Sequence, residues 1–141
     1  MLFSGLCISC NLCFDYAGPL ISAAEKLKMP YLSAYLDSIG ANFQHGANYA
    51  ASGTTIQLTN AKLYGAGFNP LSLSVQLSQF DQFTARTREL YNQSKTSSII
   101  NTLPNSEDFS RAIYTVDMGQ NDLHFALTTM KDKQVHAFIS Q

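Results

Sequence analysis

An apolar run that ends abruptly in a polar loop is the feature that most constrains this sequence. Residues Ala112 to Met118 are mainly β-branched, aromatic or apolar, which predicts a β-strand. The run stops at Gly119-Gln120-Asn121-Asp122. Near-continuous apolar strands are typical of parallel sheets covered on both faces, and open α/β folds bind ligands beyond the carboxyl ends of such strands. The run therefore predicts an α/β fold in which Ala112 to Met118 is a buried central strand.

Helical spacing occurs on both sides of this strand. After the turn signal Asn69-Pro70, side chains recur at three- and four-residue steps and predict a long helix: Leu73, Leu77, Phe80, Phe83 or Thr84, Thr87 and Leu90. Shorter helical segments are predicted from Leu20 to Lys28, from Ser106 and around Val135 to Ile139. The predicted architecture is a parallel sheet flanked by helices.

Composition and charge narrow the classes of function. A chain of 141 residues that is 45% hydrophobic and 13% charged is long and apolar enough for one globular core. Nine basic residues nearly balance ten acidic ones, and they are scattered along the chain. This pattern gives no electrostatic footprint for nucleic acid, and no transmembrane segment is expected. The partner is expected to be a neutral small molecule or another protein.

The first residues are an atypical apolar segment. Met1 to Phe14 is uncharged and resembles the apolar region of a signal peptide, but the basic residues that normally precede such a region are missing. A defective export signal and a displaced translation start are both compatible with it. Cys7, Cys10 and Cys13 have the C-x2-C-x2-C spacing of a metal site, but Ala17 replaces the fourth ligand. Packing thiols are the favoured interpretation, and no metal or cofactor is expected.

Two blocks carry a resemblance to a known family. Gly46 to Ile56 is rich in small residues and resembles the second signature block of the plant GDSL esterase/lipase family, roughly G-A-N-[FY]-A-x-x-G-[SAT]-T-I. Val116 to Leu123 resembles the third block, centred on G-x-N-D. Phe68 to Leu73 and Gln76 to Phe83 resemble the helix between the blocks. The similarity covers Leu20 to Gln141 and is greatest to the early-nodulin-like and fucosidase-named branch.

The resemblance implies a partial three-layer SGNH fold, a flavodoxin-like parallel sheet flanked by helices. Leu20 to Gln141 would then be part of a GDSL/SGNH hydrolase domain, while Met1 to Pro19 does not match the family. The resemblance implies an extracellular or secretory-pathway location. The glycosylation sequon Asn92-Gln93-Ser94 has meaning only if the chain is exported. The implied partner is a small-molecule acyl ester.

Two residues are implied to form an oxyanion hole. In the family, a serine attacks the ester carbonyl, and fixed donors stabilise the negative charge that builds on its oxygen. The resemblance assigns these donors to the backbone N–H of Gly53 and the side-chain amide of Asn121. Structural roles compete with this assignment, because Gly53 fits a tight turn and Asn121 fits a helix N-cap. Two blocks matched in the right order favour the catalytic assignment.

The remaining catalytic machinery is expected to be missing. No Gly-Asp-Ser occurs in the sequence, and Leu36 stands where the nucleophile motif needs glycine, so Ser38 is interpreted as an ordinary loop serine. Asp132 and His136 are spaced one residue too far apart to match the family's Asp-x-x-His pair. His45 and His124, each near one of the blocks, are interpreted as structural residues.

The leading hypothesis is therefore an interior piece of a carboxylic ester hydrolase that is inactive by itself. The alternative is a short non-catalytic binding protein or a nonfunctional gene remnant.

Overall fold

The computed structural model describes residues 6–9, 24–37, 39–57, 67–93 and 98–140. Four short strands of this described part form one sheet, with the order β2-β3-β1-β4: β1 (Leu6–Ser9), β2 (Ser33–Ala34), β3 (Ala47–Asn48) and β4 (Thr115–Asp117). Each neighbouring pair is parallel. Parallel pairing requires crossover connections, which helices commonly supply. The predicted α/β class with a parallel sheet is confirmed.

The long helix predicted after Asn69-Pro70 and the shorter ones predicted from Ser106 and around Val135 to Ile139 are present, and one further helix, Gln120–Thr129, was not predicted. The helices that lie wholly within the described residues are α1 (Leu73–Gln93), α2 (Ser106–Arg111), α3 (Gln120–Thr129) and α4 (Asp132–Ile139), and Ile100–Thr102 forms a 3₁₀ turn. Of the predicted first helix, residues 24–27 are helical and residues 20–23 lie outside the described residues. None of the helices in the described ranges combines the length and apolar character needed to cross a membrane.

Helix α1 buries a face that is rotated slightly from the predicted one. Its buried residues are Gln76, Phe83 and Thr87, whereas Leu77, predicted on the apolar face, is 42% exposed. Gln76 is accommodated because its Nε2 atom donates to the Leu71 carbonyl at 2.9 Å. The predicted face was chosen from apolar residues alone. At this turn the hydrogen-bonded polar side chain of Gln76 is buried in place of the apolar Leu77.

An aromatic cluster joins α1 to the strand β3. The buried Phe83 ring contacts Tyr35, Phe43 and Phe109 edge-on, with ring centroids 5.9, 5.4 and 6.0 Å away. Tyr49, one residue beyond β3, is also buried in this cluster. Edge-to-face pairs at these distances add to the free energy gained by burying the rings. The cluster therefore fixes α1 against the segment that leads into block two.

The predicted position of the strand in Ala112 to Met118 is wrong. The strand is shorter, Thr115–Asp117, and it occupies an edge of the sheet with all three residues exposed. Val116 is 57% exposed. Its pairs with β1 run from Cys7↔Thr115 to Ser9↔Asp117. The apolar composition identified a strand correctly but did not identify its neighbours.

One strand comes from the atypical N-terminal segment. Strand β1 contains Cys7 and lies between β3 and β4, while Cys10 and Cys13 lie outside the described residues. Part of Met1 to Pro19 is thus one of the two interior strands of the described sheet. The prediction that Met1 to Pro19 does not match the family stays a prediction. The two explanations of this segment, a defective export signal and a displaced translation start, also stay open.

Replacing Phe83 by alanine should lower the free energy of unfolding by about 3 kcal/mol, because a buried aromatic ring is lost from a packed cluster. Leu77→Ala, on the exposed side of the same helix, should cost less than about 1 kcal/mol. Urea unfolding followed by circular dichroism measures both values. Equal costs for the two variants would contradict the described packing of α1.

Candidate functional site

The second half of block two forms a loop at residues 52–57 that is bonded to the start of α1. Gly53 has a φ of 76°, a left-handed conformation that favours glycine. The Gly53 carbonyl accepts from the Asn69 N–H at 2.8 Å, and the Thr55 carbonyl accepts from the Leu73 N–H at 2.9 Å. The residues around Asn69-Pro70 therefore hold one side of this 52–57 loop.

Block three meets the same loop from the other side through Asn121. The side-chain Nδ2 of Asn121 donates to the Thr54 carbonyl at 2.7 Å, and both residues are 0% exposed. Asn121 is the second residue of α3, whose N-cap is Gly119 with a left-handed φ of 117°. The interpretation of Asn121 as an N-cap is therefore wrong. Its amide bonds a residue 67 positions earlier in the chain.

Asp122 adds two further hydrogen bonds to the loop. Its Oδ2 accepts from the Ile56 N–H at 2.8 Å and its Oδ1 accepts from the Gln57 N–H at 2.9 Å. The side chain is 8% exposed. Sequence reasoning quoted Asp122 within G-x-N-D but gave it no role. The available signal was an acidic residue in the first turn of a helix, where the dipole favours negative charge.

Together, these contacts bring the two blocks into direct contact. The Asn121 amide bonds the residue that follows Gly53, so the two sequence-predicted site residues lie on adjoining segments. The turn interpretation of Gly53 also agrees with its backbone conformation. A neutral donor held rigidly in buried surroundings is the arrangement that can stabilise a developing negative charge. The catalytic role of both residues stays a prediction.

A small apolar cavity lies beneath the first half of block two. It is lined mainly by aromatic side chains: Gly46, Ala47, Tyr49, Phe80, Phe83, Phe109 and Tyr114. Neither Gly53 nor Asn121 lines it. Burial raises the pKa of the Tyr49 hydroxyl above its ordinary value, with a smaller contribution from Tyr35. Within the described part of the chain, this hydroxyl has no hydrogen-bond partner.

The residues interpreted as non-catalytic lie on several elements. His136 is exposed in α4, which begins at Asp132, and His124 is exposed in α3. His45 is half-buried in the turn before Gly46, and Ser38 lies outside the described residues. Among the described residues, no cluster of three or more His, Cys, Asp or Glu side chains could hold a metal ion.

Comparison with known proteins gives a consistent set of relatives. The family model described as GDSL-like Lipase/Acylhydrolase matches residues 21–141. The GDSL esterase/lipase At5g14450 of Arabidopsis thaliana is 48% identical over 116 residues, which cover 82% of this chain and 30% of that protein. Alpha-L-fucosidase 3 of the same plant is 46% identical over 123 residues, covering 84% and 32%.

A third relative comes from a legume. The GDSL esterase/lipase ENOD8 of Medicago truncatula is 40% identical over 100 residues, covering 71% of this chain and 26% of that protein. The chain thus spans about a third or less of the length of these relatives. No solved structure matches the chain.

Replacing Asn121 by alanine should lower the free energy of unfolding by about 2 kcal/mol, because the buried Thr54 carbonyl loses this donor. Asn101→Ala, at an exposed position of the 3₁₀ turn, is the control and should change stability by about 0.5 kcal/mol or less. Thermal and urea unfolding of both variants measure the difference. If Asn121→Ala were as mild as the control, the Asn121–Thr54 bond would contribute nothing to the fold.

Proposed function

Because the chain belongs to the GDSL-like lipase/acylhydrolase family, matched over residues 21–141, we propose that it is the part of a carboxylic ester hydrolase that carries the oxyanion hole. The match confirms the sequence-based resemblance to plant GDSL esterase/lipases, including fucosidase-named and ENOD8 relatives. The proposed substrate is a small acyl ester, and the proposed location of the parent enzyme is the secretory pathway or the cell exterior.

One observation carries the proposal: block three is hydrogen-bonded to block two at the residue that follows Gly53. The bond joins residues 67 positions apart in sequence, at 2.7 Å and without exposure to water. A shared site would require contact between these two blocks, because each would supply one donor. It supports the assignment of the Gly53 N–H and the Asn121 amide as the two oxyanion donors.

The proposed chemistry is acyl transfer to a serine. That serine attacks the ester carbonyl while a histidine takes its proton, and the carbonyl oxygen acquires negative charge in the tetrahedral intermediate; the histidine then returns the proton to the departing alcohol as the acyl-serine forms. In the substrate complex this oxygen accepts one hydrogen bond from the Asn121 amide and a second from the Gly53 N–H. A neutral amide suits the role because it donates without carrying charge, and glycine presents no Cβ to the substrate.

The second candidate function is non-catalytic. It is supported by the sequence itself, which contains oxyanion candidates but no Gly-Asp-Ser. A chain with such donors and no nucleophile can bind a carbonyl group but has no efficient route for acyl transfer. Reading the gene in frame on both sides of this segment separates the candidates. A Gly-Asp-Ser block before it and an Asp-x-x-His block after it support the hydrolase, and stop codons in both places support the alternative.

The 141-residue chain should show no hydrolysis of p-nitrophenyl acyl esters above the buffer rate. Release of p-nitrophenolate, followed by absorbance, is the measurement, and Ser38→Ala is the matched variant. Turnover that disappears in Ser38→Ala would show that Ser38 is a nucleophile and that its interpretation as a loop serine is wrong.

A full-length version, with flanking segments from a GDSL esterase/lipase relative, tests the oxyanion assignment. Asn121→Ala should reduce kcat by about 10²–10³, the usual cost of losing one such donor, and should change KM much less. Asn101→Ala is the control and should retain the parental kcat. A parental kcat in a folded Asn121→Ala variant would remove Asn121 from the oxyanion hole.

A further inference from the structure

Asp122 is the first acidic residue of α3, yet it does not serve its own helix in the usual way. An acidic side chain at the third helical position commonly accepts from the N-cap amide, forming half of a capping box. The N-cap here is Gly119, and both Asp122 oxygens are directed elsewhere, to amides 66 and 65 residues earlier in the chain. The position in the helix therefore explains the tolerance for negative charge but not the direction of the side chain.

The two carboxylate oxygens of Asp122 match two N–H donors of the loop. Ile56 and Gln57 present successive N–H groups, and the carboxylate places one oxygen on each, at 2.8 and 2.9 Å. Hydrogen bonds to an ionised acceptor are roughly twice as strong as neutral ones. Because the carboxylate is only 8% exposed, water competes weakly for these bonds. The end of the loop is therefore held by a charge-assisted, two-point contact.

We infer that Asp122 is a positioning residue that fixes the 52–57 loop so that Gly53 and Asn121 present their donors to one oxygen. Three sets of hydrogen bonds hold successive parts of the loop. The Asn69 N–H holds the Gly53 carbonyl, Asp122 holds Ile56 and Gln57, and the Asn121–Thr54 bond lies between these anchors. The catalytic consequence rests on the proposed oxyanion function.

The charge of Asp122 excludes a direct role on the oxyanion. A carboxylate facing a developing negative oxygen would destabilise it by like-charge repulsion. Both Asp122 oxygens instead accept from loop amides, which direct the carboxylate toward positive N–H dipoles. Asp122 acts through the backbone that it holds and does not touch the substrate.

Amide hydrogen exchange in the 141-residue chain tests the contact residue by residue. Asp122→Ala should accelerate exchange at both Ile56 and Gln57 by about 10-fold or more relative to the α1 amides. Asp122→Asn keeps one acceptor oxygen, so only one of these two amides should lose protection. Asp132→Asn removes an exposed carboxylate from the first turn of α4 and should leave both amides unchanged. Unchanged exchange at Ile56 and Gln57 in Asp122→Ala would overturn the inference.

A measurement on the unsubstituted chain covers the case in which the variants do not fold. Scalar couplings across the hydrogen bonds should link the Ile56 and Gln57 amide nitrogens to the Asp122 carboxylate carbon. Both amides should also exchange slowly. Missing couplings together with unprotected exchange would overturn the inference without any substitution.

Kinetics of the full-length version separate this inference from the oxyanion proposal. Asp122→Asn should lower kcat by about 10-fold to 100-fold with KM nearly unchanged, since misplaced donors are felt in the transition state. If Asn121→Ala lowers kcat while Asp122→Asn does not, the positioning role is overturned and the oxyanion hole stands. If Asn121→Ala leaves kcat unchanged, the assignment of Asn121 to the oxyanion hole is overturned, whatever the exchange data show for Asp122.

Discussion

The hydrogen bonds between the first turn of α3 and the 52–57 loop are the interaction on which the site depends. They join block three to block two across more than sixty residues, through one neutral amide and one carboxylate. The parallel sheet makes this contact possible. Because β3 and β4 run in the same direction, the chain leaves both strands at the same end of the sheet. Buried loop amides and carbonyls without partners would cost several kcal/mol, so the contact stabilises the loop as well as placing it.

The aromatic cluster supports the loop from the opposite side. Phe83 and Tyr49 fix α1 against the chain leaving β3, and the first residue of α1, Leu73, donates to the Thr55 carbonyl. The loop is therefore bonded to the beginnings of two different helices, α1 and α3. Since each helix is packed through its own apolar cluster, the position of the loop depends on both clusters.

The elements that depend on local patterns could be predicted from the sequence, and those that depend on distant partners could not. The period of α1 and the turn at Asn69-Pro70 predicted a helix that the structure confirms. The exposure of Val116 was not predictable. An apolar sequence indicates that a strand is more stable when buried, but it does not identify the elements that would pack against it. Strand β1 was missed because four residues in an uncharged apolar segment also fit an export signal. The partners of Asp122 were missed because no spacing rule links it to Ile56.

The geometry gives a physical reason for the order of Asn and Asp in block three. The loop presents a carbonyl at Thr54 and N–H groups at Ile56 and Gln57, so its first contact needs a donor and its second needs an acceptor. A carboxylate at position 121 would face a carbonyl, and an amide at position 122 would turn an NH₂ group toward one of the N–H groups. Either exchange replaces an attractive pair by a repulsive one in buried surroundings, where the cost is highest. The dipeptide is therefore matched to the polarity of the loop, independently of the reaction that the loop serves.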